Sequence, residues 1–191
     1  LIVEALAREG LVALLFANTP AAIAPWGGRR GLFGTNPLAF ACPRPHAAPI
    51  VVDMALSKIA RGKVVAAKKK GENISEGWAL DREGRPTTDP DAALAGTMVP
   101  LGDAKGTALA LMIELLAAGL PMATYAADAT SFLDAKGGPP ATGQTVIAID
   151  PTAFGGPAVI DHFEVLARQI EDEPGARLPG AGAHDLALGR D

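Results

Sequence analysis

Cysteine, histidine and aromatic residues are scarce in this chain. Its 191 residues include one cysteine, three histidines and 5% aromatic side chains. The lone Cys42 cannot form an internal disulfide or a zinc ribbon, and it favours a reducing compartment, most simply the cytoplasm. The histidines, His46, His162 and His184, share no spacing with one another or with the cysteine that is typical of a metal site or a Cys-His catalytic pair. We therefore predict no metal centre.

Long apolar runs and basic blocks are also missing. No apolar run reaches the roughly 18 to 20 residues that span a bilayer, and the N-terminal residues lack the basic start and cleavage pattern of a signal peptide. The formal net charge is −4, and the basic stretch Lys68–Lys70 lies beside Glu72 and Glu76. These features argue against a membrane or nucleic-acid partner.

A nucleotide-binding fingerprint is absent as well. The loop glycines at 27, 28, 31 and 34 do not form Gly-x-Gly-x-x-Gly before a helix, and no P-loop occurs. Helical and strand-like segments nevertheless alternate along the chain. This pattern predicts a three-layer α/β fold with a mixed, non-Rossmann sheet.

The composition is that of a folded protein, with 49% hydrophobic and 20% charged residues. The length suits one domain or a large piece of a bigger one, and we predict one unit over residues 1–191. The chain has no starting Met and helical spacing begins at residue 1. We therefore expect its natural beginning to lie upstream.

Two apolar runs, within Gly31–Phe40 and Ile50–Lys63, each end in small or polar residues. Such run ends are places where ligand sites tend to form, because the strands hold the backbone while the polar side chains are presented. The side chains presented are those of Thr35, Asn36, Asp53 and Ser57. The two runs together predict a ligand cradle.

A third run, Leu11–Phe16, is typical of a buried strand and delivers Asn18 and Thr19 to its end. Asn and Thr are common turn formers, so on the residues alone an ordinary strand-terminal turn explains this pair better than a site does. The residues alone leave both interpretations open.

A turn, Gly102–Gly106, precedes a predicted helix over Thr107–Ala118. Lys105 and the first free backbone N–H groups of that helix suit a phosphate, although a lysine at this position is often only solvated. The helix is apolar nearly all round, with Glu114 its only charge, so we expect it to be buried.

Five motifs occur in order along the chain: Gly34–Pro37, Asp53–Ala55, Arg61–Gly62, Glu76–Trp78 and Thr87–Pro90. In these motifs the chain resembles the malate/L-lactate dehydrogenase family that is unrelated to the Rossmann lactate dehydrogenases. The resemblance implies an oxidoreductase that uses NADP or NAD, acts on a small molecule, and works as a homodimer in the cytoplasm.

The resemblance also implies the roles of particular residues. It places the substrate carboxylate at Thr35, Arg61 and Gly62, where a permanently charged guanidinium stands with a hydroxyl. It places the cofactor at Thr19, Asp53, Met54, Ala55, Ala104, Lys105, Pro179 and Gly180.

Within the family, the stretches Asp53–Gly62, Ser131–Asp134 and Gly138–Pro140 are most similar to the reductases of cyclic 2-imino acids, Δ1-pyrroline-2-carboxylate and Δ1-piperideine-2-carboxylate. These reductases carry an acidic residue where this chain has Lys63. Reduction of 2-oxo acids, malate or L-lactate-type 2-hydroxy acid oxidation, and a catalytically silent fragment are the alternatives.

The proton donor of the family is a histidine that would precede Leu1, and the arginines of its C-terminal signature are replaced here by Ala181–His184. We therefore predict weak NAD(H) or NADP(H) binding and no turnover by residues 1–191 alone.

Overall fold

The computed structural model describes residues 1–133 and 136–180. The contacts of the chain group into two compact units, and the organisation of residues 1–191 as one unit stays a prediction. The first comprises Leu1–Leu15, Leu38–Met54 and the described residues from Val146 onward. The second comprises Phe16–Pro37 and Ala55–Thr145.

The elements, in chain order, are as follows. Helices are α1 (Ile2–Arg8), α2 (Arg61–Lys70), α3 (Pro90–Ala95), α4 (Asp103–Glu114), α5 (Thr152–Gly155) and α6 (Val159–Glu171), and a π-helical segment over Leu115–Gly119 continues α4. Strands are β1 (Val12–Ala17), β2 (Leu38–Cys42), β3 (Ile50–Met54), β4 (Ala79–Leu80), β5 (Pro86–Thr87), β6 (Thr97–Met98) and β7 (Gln144–Ile149). The predicted α/β class is confirmed.

The first unit is built on a sheet with strand order β3-β2-β1-β7, in which β2 and β3 pair antiparallel. Helix α1 packs on this sheet and ends where Gly10, at φ 86°, adopts a conformation that glycine tolerates without strain. The core between them consists mainly of small side chains: Val3, Ala7, Ala13, Ala39 and Ala41. Small residues let the helix lie close to the strands.

The second unit carries a three-stranded antiparallel sheet of order β5-β4-β6 together with α2, α3 and α4. Helix α2 begins after Ala60 and ends at Gly71, which is left-handed at φ 67°. Its buried face is carried by Val64, and Lys68, Lys69 and Lys70 are exposed. The lysines therefore form a solvated face.

Two expectations about helix α4 were wrong. The helix begins at Asp103, so Ala104 and Lys105 lie in its first turn and not in the turn before it. It is also not buried all round, since three apolar side chains of the helix and its π-helical continuation are about half exposed: Leu111, Met112 and Leu115. The buried side is carried by small residues and by Glu114, which is 3% exposed.

Within residues 1–133 and 136–180, no helix combines the length and apolar character needed to cross a membrane. In the same part of the chain, no cluster of three or more histidine, cysteine or acidic side chains is arranged to hold a metal ion. Cys42 is buried, and burial raises the pKa of its thiol to about 11. The thiol is therefore protonated and unreactive near neutral pH.

A charged cluster fastens helix α6 inside the first unit. Arg44 follows strand β2 and is 8% exposed. Its guanidinium donates to both carboxylate oxygens of Glu164, at 2.7 and 3.0 Å, and to both of Glu171, at 2.6 and 3.0 Å. Two-pronged pairs of this kind restrict orientation as well as adding energy. These hydrogen bonds lower the pKa of Glu164 to about 2, below its ordinary value of 4.5.

We predict that Arg44→Met lowers the free energy of unfolding by about 2 kcal/mol near neutral pH, because it removes four charge-assisted hydrogen bonds, takes both Arg44 donors from Glu171 and leaves Glu164 with Arg168 as its donor. Since the folded pKa of Glu164 is depressed, this contribution is present above about pH 4.5 and is lost as the pH falls toward 2. Urea unfolding at about pH 7 and about pH 3 should show the difference shrinking in acid.

The matched control is Arg168→Met, because Arg168 binds the same Glu164 but is 64% exposed. We expect this control to change stability by about 0.5 kcal/mol or less. Equal losses in the two variants would mean that the buried position of Arg44 adds nothing.

Candidate functional site

The end of strand β1 is held rigidly by Asn18, which is 2% exposed. Its Nδ2 donates to the carbonyl of Thr124 at 2.9 Å and to Glu114 Oε1 at 3.1 Å, and its Oδ1 accepts from the N–H of Gly143 at 2.8 Å. The asparagine therefore does more than turn the chain. It determines where the next residue, Thr19, is placed.

The segment Gly34–Pro37 is held in the same way by Asn36, which is fully buried. Its backbone lies at φ 37°, in the left-handed region that few residues other than glycine adopt. Its Nδ2 donates to the carbonyl of Ala110 at 3.0 Å and to Glu114 Oε2 at 2.8 Å. The preceding residue is Thr35.

Thr19 and Thr35 meet as a result. The N–H of Thr35 donates to Thr19 Oγ1 at 2.9 Å, and the two Oγ1 atoms lie 3.3 Å apart. Both residues are half-buried. The structure thus brings together one residue predicted for substrate and one predicted for cofactor.

Gly34 is what allows this approach. A Cβ at this position would lie 2.2 Å from the carbonyl oxygen of Thr19, 2.3 Å from Thr19 Oγ1 and 2.6 Å from Asn36 Oδ1. No side chain fits there. The glycine is therefore required because two backbones pass in contact.

Glu114, on helix α4, connects these elements and was not among the predicted site residues. Its carboxylate accepts hydrogen bonds from Asn18, Asn36 and the N–H of Ala126, the last at 2.7 Å. The sequence feature that could have indicated its role is that Glu114 is the only charged residue in the predicted apolar helix Thr107–Ala118. A buried charge is costly unless it is hydrogen-bonded, so this residue must have partners.

Two backbone hydrogen bonds connect Thr35 to the segment after strand β3, and that segment to the residues just before helix α4. Leu56, which follows Ala55, donates to the carbonyl of Thr35 at 2.7 Å, and Leu101 donates to the carbonyl of Leu56 at 2.7 Å. Helix α4 begins two residues after Leu101. Because Leu56 is bonded to Thr35, the preceding residue, the predicted cofactor residue Ala55, lies near Thr35.

Ala104 and Lys105 are both exposed in the first turn of α4. The N–H groups of Lys105 and Gly106 already donate to the carbonyl of Gly102, at 3.1 and 3.4 Å. These two N–H groups are therefore used within the first turn of the helix, and a phosphate at this helix start stays a prediction. The side chain of Lys105 remains directed to solvent-accessible space as a positive charge.

Arg61 lies half-buried at the start of α2. Its Nη1 donates to the carbonyl of Ala21 at 3.0 Å and its Nη2 to the carbonyl of Leu94 at 3.3 Å, while burial lowers its pKa. The next residue, Gly62, is exposed. A role of this pair in holding a carboxylate stays a prediction, since these bonds also give Arg61 a structural use.

Four predicted cofactor residues belong to the first unit. Asp53 and Met54 end strand β3, and the side chain of Asp53 is exposed. Pro179 and Gly180 are near the end of the described chain, where Gly180 lies at φ 83° and so close to β3 that a Cβ would be 2.7 Å from the carbonyl oxygen of Val51. The structure therefore brings the Pro-Gly pair to the strand that carries Asp53.

The histidines do not join either group. His46 and His162 are exposed in the first unit. His184 and the end of the Ser131–Asp134 stretch lie outside the described residues. The roles expected for that stretch and for the tail at 181–184 stay predictions.

The chain is thus a mixed α/β protein in whose second unit two threonine hydroxyls lie together, and the buried carboxylate of Glu114 binds the asparagines adjacent to them. The sequence profile of the malate/L-lactate dehydrogenase family matches residues 1–187. The chain belongs to this family. The resemblance seen in its motifs is confirmed.

Two curated relatives differ in what they act on. The chain is 56% identical over 184 residues to a (2R)-3-sulfolactate dehydrogenase (NADP(+)) from Chromohalobacter salexigens, covering 96% of this chain and 55% of the relative. It is 43% identical over 179 residues to a Δ1-pyrroline-2-carboxylate/Δ1-piperideine-2-carboxylate reductase from Pseudomonas aeruginosa, covering 93% and 54%. The chain spans about half the length of these curated relatives.

A solved structure supports the fold. The sulfolactate dehydrogenase from Methanocaldococcus jannaschii superimposes with a TM-score of 0.86 at 33% sequence identity, over 98% of this chain and 56% of that one. The arrangement of helices and antiparallel sheets described above is therefore that of a sulfolactate dehydrogenase-like protein.

We predict that Gly34→Ala destabilises the chain by about 2 kcal/mol, because the new methyl group forces the Thr19 and Gly34 backbones apart. Gly138→Ala is the matched control, since a Cβ at Gly138 meets nothing within 4 Å; we expect it to stay within about 0.5 kcal/mol of the parent. Thermal unfolding of the three proteins measures both. A Gly34→Ala protein as stable as its parent would show that the close approach is not maintained in solution.

Proposed function

We propose that this chain is part of an NAD(P)-dependent oxidoreductase acting on small 2-oxo or 2-hydroxy acids, or on cyclic 2-imino acids. In this proposal residues 1–191 form the cofactor-binding and C-terminal part of a larger enzyme, with a three-layer, non-Rossmann fold. The observation that carries the proposal is the contact of Thr19 with Thr35, whose hydroxyl oxygens lie 3.3 Å apart. A hydride transfer needs substrate and cofactor to meet, and residues expected to bind each of them meet here.

The hydrogen bonds of the two threonines allow a donor role for Thr35. Thr19 Oγ1 accepts the N–H of Thr35 at 2.9 Å, and either hydroxyl can donate across the 3.3 Å between the two Oγ1 atoms; we take Thr19 as that donor. The hydroxyl hydrogen of Thr35 then points to other partners. A substrate carboxylate oxygen is an acceptor of the kind this hydroxyl would bind.

Each unit, taken by itself, offers groups that suit part of a dinucleotide. In the second unit, Lys105 offers an exposed positive charge at the start of α4 for a pyrophosphate. In the first unit, Gly180 provides a backbone without a side chain beside β3. Asp53 offers exposed carboxylate oxygens that accept hydrogen bonds from ribose hydroxyls or amides. The nicotinamide cofactor, when bound, supplies or removes the hydride.

Reduction of a ketone or an imine also requires a proton donor within about 2.6 to 3.2 Å of the accepting atom. His46 and His162 are exposed in the first unit, whereas the two threonines lie in the second, and the hydrogen bonds of Arg61 within the described part of the chain are with backbone carbonyls. We therefore propose that the donor is supplied by sequence outside residues 1–191. The chain alone should bind cofactor weakly and not turn over.

For the substrate, the 2-oxo and 2-hydroxy acids are the first candidate. The relative named as a sulfolactate dehydrogenase shares 56% identity with this chain, against 43% for the pyrroline-2-carboxylate and piperideine-2-carboxylate reductase. Lys63, two residues after Arg61 in the first turn of α2, is exposed and adds positive charge to that end of the helix, which suits a substrate with a second anionic group more than a cyclic imino acid. The cyclic imino acids are the second candidate, and malate or L-lactate oxidation is a third.

We also propose a homodimer in the cytoplasm. The exposed apolar side chains of α4 and its π-helical continuation support a subunit or domain contact there, because such a patch is costly to leave in water. Light scattering on the purified protein measures its mass.

We predict that Lys105→Ala weakens NADPH binding about fivefold, because a single exposed charge contributes roughly 1 kcal/mol to holding a phosphate. Lys69→Ala is the matched control, since Lys69 is an exposed lysine on the solvated face of α2, and we expect no change. Calorimetric titration of the folded chain with NADPH and NADH measures both. No binding to folded wild-type chain would count against the proposed cofactor.

We predict that Thr35→Val raises the KM for the substrate about tenfold in the longest natural form of the protein, with kcat changed less, because it removes one hydrogen bond to a charged group. Parallel assays with 3-sulfopyruvate, pyruvate, oxaloacetate and the two cyclic imino acids identify the substrate class. Absence of turnover with all of them would favour the silent fragment.

A further inference from the structure

We propose that Glu114 is a positioning residue that sets the distance between the hydroxyls of Thr19 and Thr35. This inference rests on the proposed function in one respect, namely that the two hydroxyls contact the ligand. It concerns a side chain that touches neither threonine and acts through Asn18 and Asn36.

The geometry is that of one carboxylate shared by two loops. Glu114 Oε1 accepts from Asn18 Nδ2 at 3.1 Å, and Glu114 Oε2 accepts from Asn36 Nδ2 at 2.8 Å. Asn18 directly precedes Thr19, and Asn36 directly follows Thr35. Each oxygen of the carboxylate therefore holds the residue adjacent to one of the two hydroxyls.

The carboxylate cannot relax independently of its surroundings. Glu114 is 3% exposed, and its Oε1 also accepts the N–H of Ala126 at 2.7 Å. Glu114 is the last residue of α4 before the π-helical segment, whose hydrogen bond from Leu120 to Leu115, at 2.7 Å, spans five residues. Irregular turns of this kind often occur at functional sites, where they redirect a side chain.

The orientation of the Asn36 amide follows from the same contacts. Its Nδ2 faces two acceptors, the Ala110 carbonyl and Glu114 Oε2, so a reversed amide would point an oxygen at two oxygens. The buried Oδ1 of Asn36 consequently has no hydrogen-bond partner among the described residues, and it lies against Gly34, next to Thr19. The unsatisfied oxygen and the left-handed backbone of Asn36 both cost free energy. The hydrogen bond of Asn36 to Glu114 helps to offset this cost and hold the loop.

The two acceptor oxygens of residue 114 distinguish this role from simple packing. A glutamine at 114 has nearly the same shape, and its one oxygen can still accept from Asn18 and Ala126. Its NH2 group, however, would face the NH2 group of Asn36, and two donors repel each other. The loop that carries Thr35 should then move away while the end of β1 stays in place.

The experiment compares Glu114→Gln with Ile113→Ala in the 191-residue chain. Ile113 is fully buried on the same helix and has no polar contact, so its truncation leaves a cavity without changing the hydrogen bonds. The first readout is the Thr35 amide in 15N–1H spectra, whose hydrogen bond to Thr19 Oγ1 reports the threonine pair. We expect that amide to shift and to exchange about tenfold faster in Glu114→Gln, and to change little in Ile113→Ala.

The second readout is the NADPH affinity from calorimetry. We expect it to fall about tenfold in Glu114→Gln and less than about twofold in Ile113→Ala. Adding Asn36→Asp to Glu114→Gln pairs an NH2 group with a carboxylate again, and should recover part of both readouts. An unchanged Thr35 amide in Glu114→Gln, or equal effects in Glu114→Gln and Ile113→Ala, would overturn the proposal.

If Glu114→Gln does not fold, the test is made on the unaltered chain. The proposal requires the side-chain NH2 protons of Asn18 and Asn36 to exchange slowly with solvent, and rapid exchange contradicts it. Failure of the proposed function gives a different result. In that case NADPH does not bind the wild type, while the Thr35 amide still responds to Glu114→Gln.

Discussion

The second unit depends on a buried carboxylate whose partners are all neutral. Glu114 receives hydrogen bonds from two asparagine side chains and one backbone N–H, with no cation among these donors. A charge taken out of water is tolerated only when several donors replace the lost water, so the three donors and the acid must be present together. Strand end, cradle loop and helix α4 are consequently held in a single arrangement within that unit.

In the first unit, by contrast, the buried charge is paired with opposite charges. Arg44 binds two glutamates of helix α6 with four hydrogen bonds, so here charge is matched by charge. A guanidinium presents a rigid, planar set of donors, and two carboxylates in its plane fix the helix in register as well as in distance. The small alanines of the core allow the helix and strands to lie close, but they specify orientation only weakly.

Close backbone approach is the constraint that shapes the candidate site. Gly34 and Gly180 each lie where a Cβ would press against a neighbouring carbonyl, of Thr19 and of Val51 respectively. Both glycines lie beside residues that were predicted to bind ligand. Absence of a side chain brings backbones together, and the polar groups next to the contact are thereby presented at a defined position.

Local sequence patterns were sufficient to locate much of this protein. The strand at Leu11–Phe16, the stop of helix α2 at Gly71 and the family motifs from Gly34 to Pro90 were all readable, because apolar periodicity and glycine conformations are determined by neighbouring residues. The start of α4 was misplaced, since Gly102 and Asp103 form an irregular helix entry that propensity does not indicate.

What only the tertiary structure decided is which distant residues meet. Asn18, Asn36 and Glu114 are far apart along the chain, and an isolated glutamate in an apolar helix has no local partner that explains it. Likewise, the position of Arg61 against the carbonyls of Ala21 and Leu94 follows from no nearby spacing. Hydrogen bonds between residues remote in sequence depend on how the elements pack, and periodicity carries no information about that.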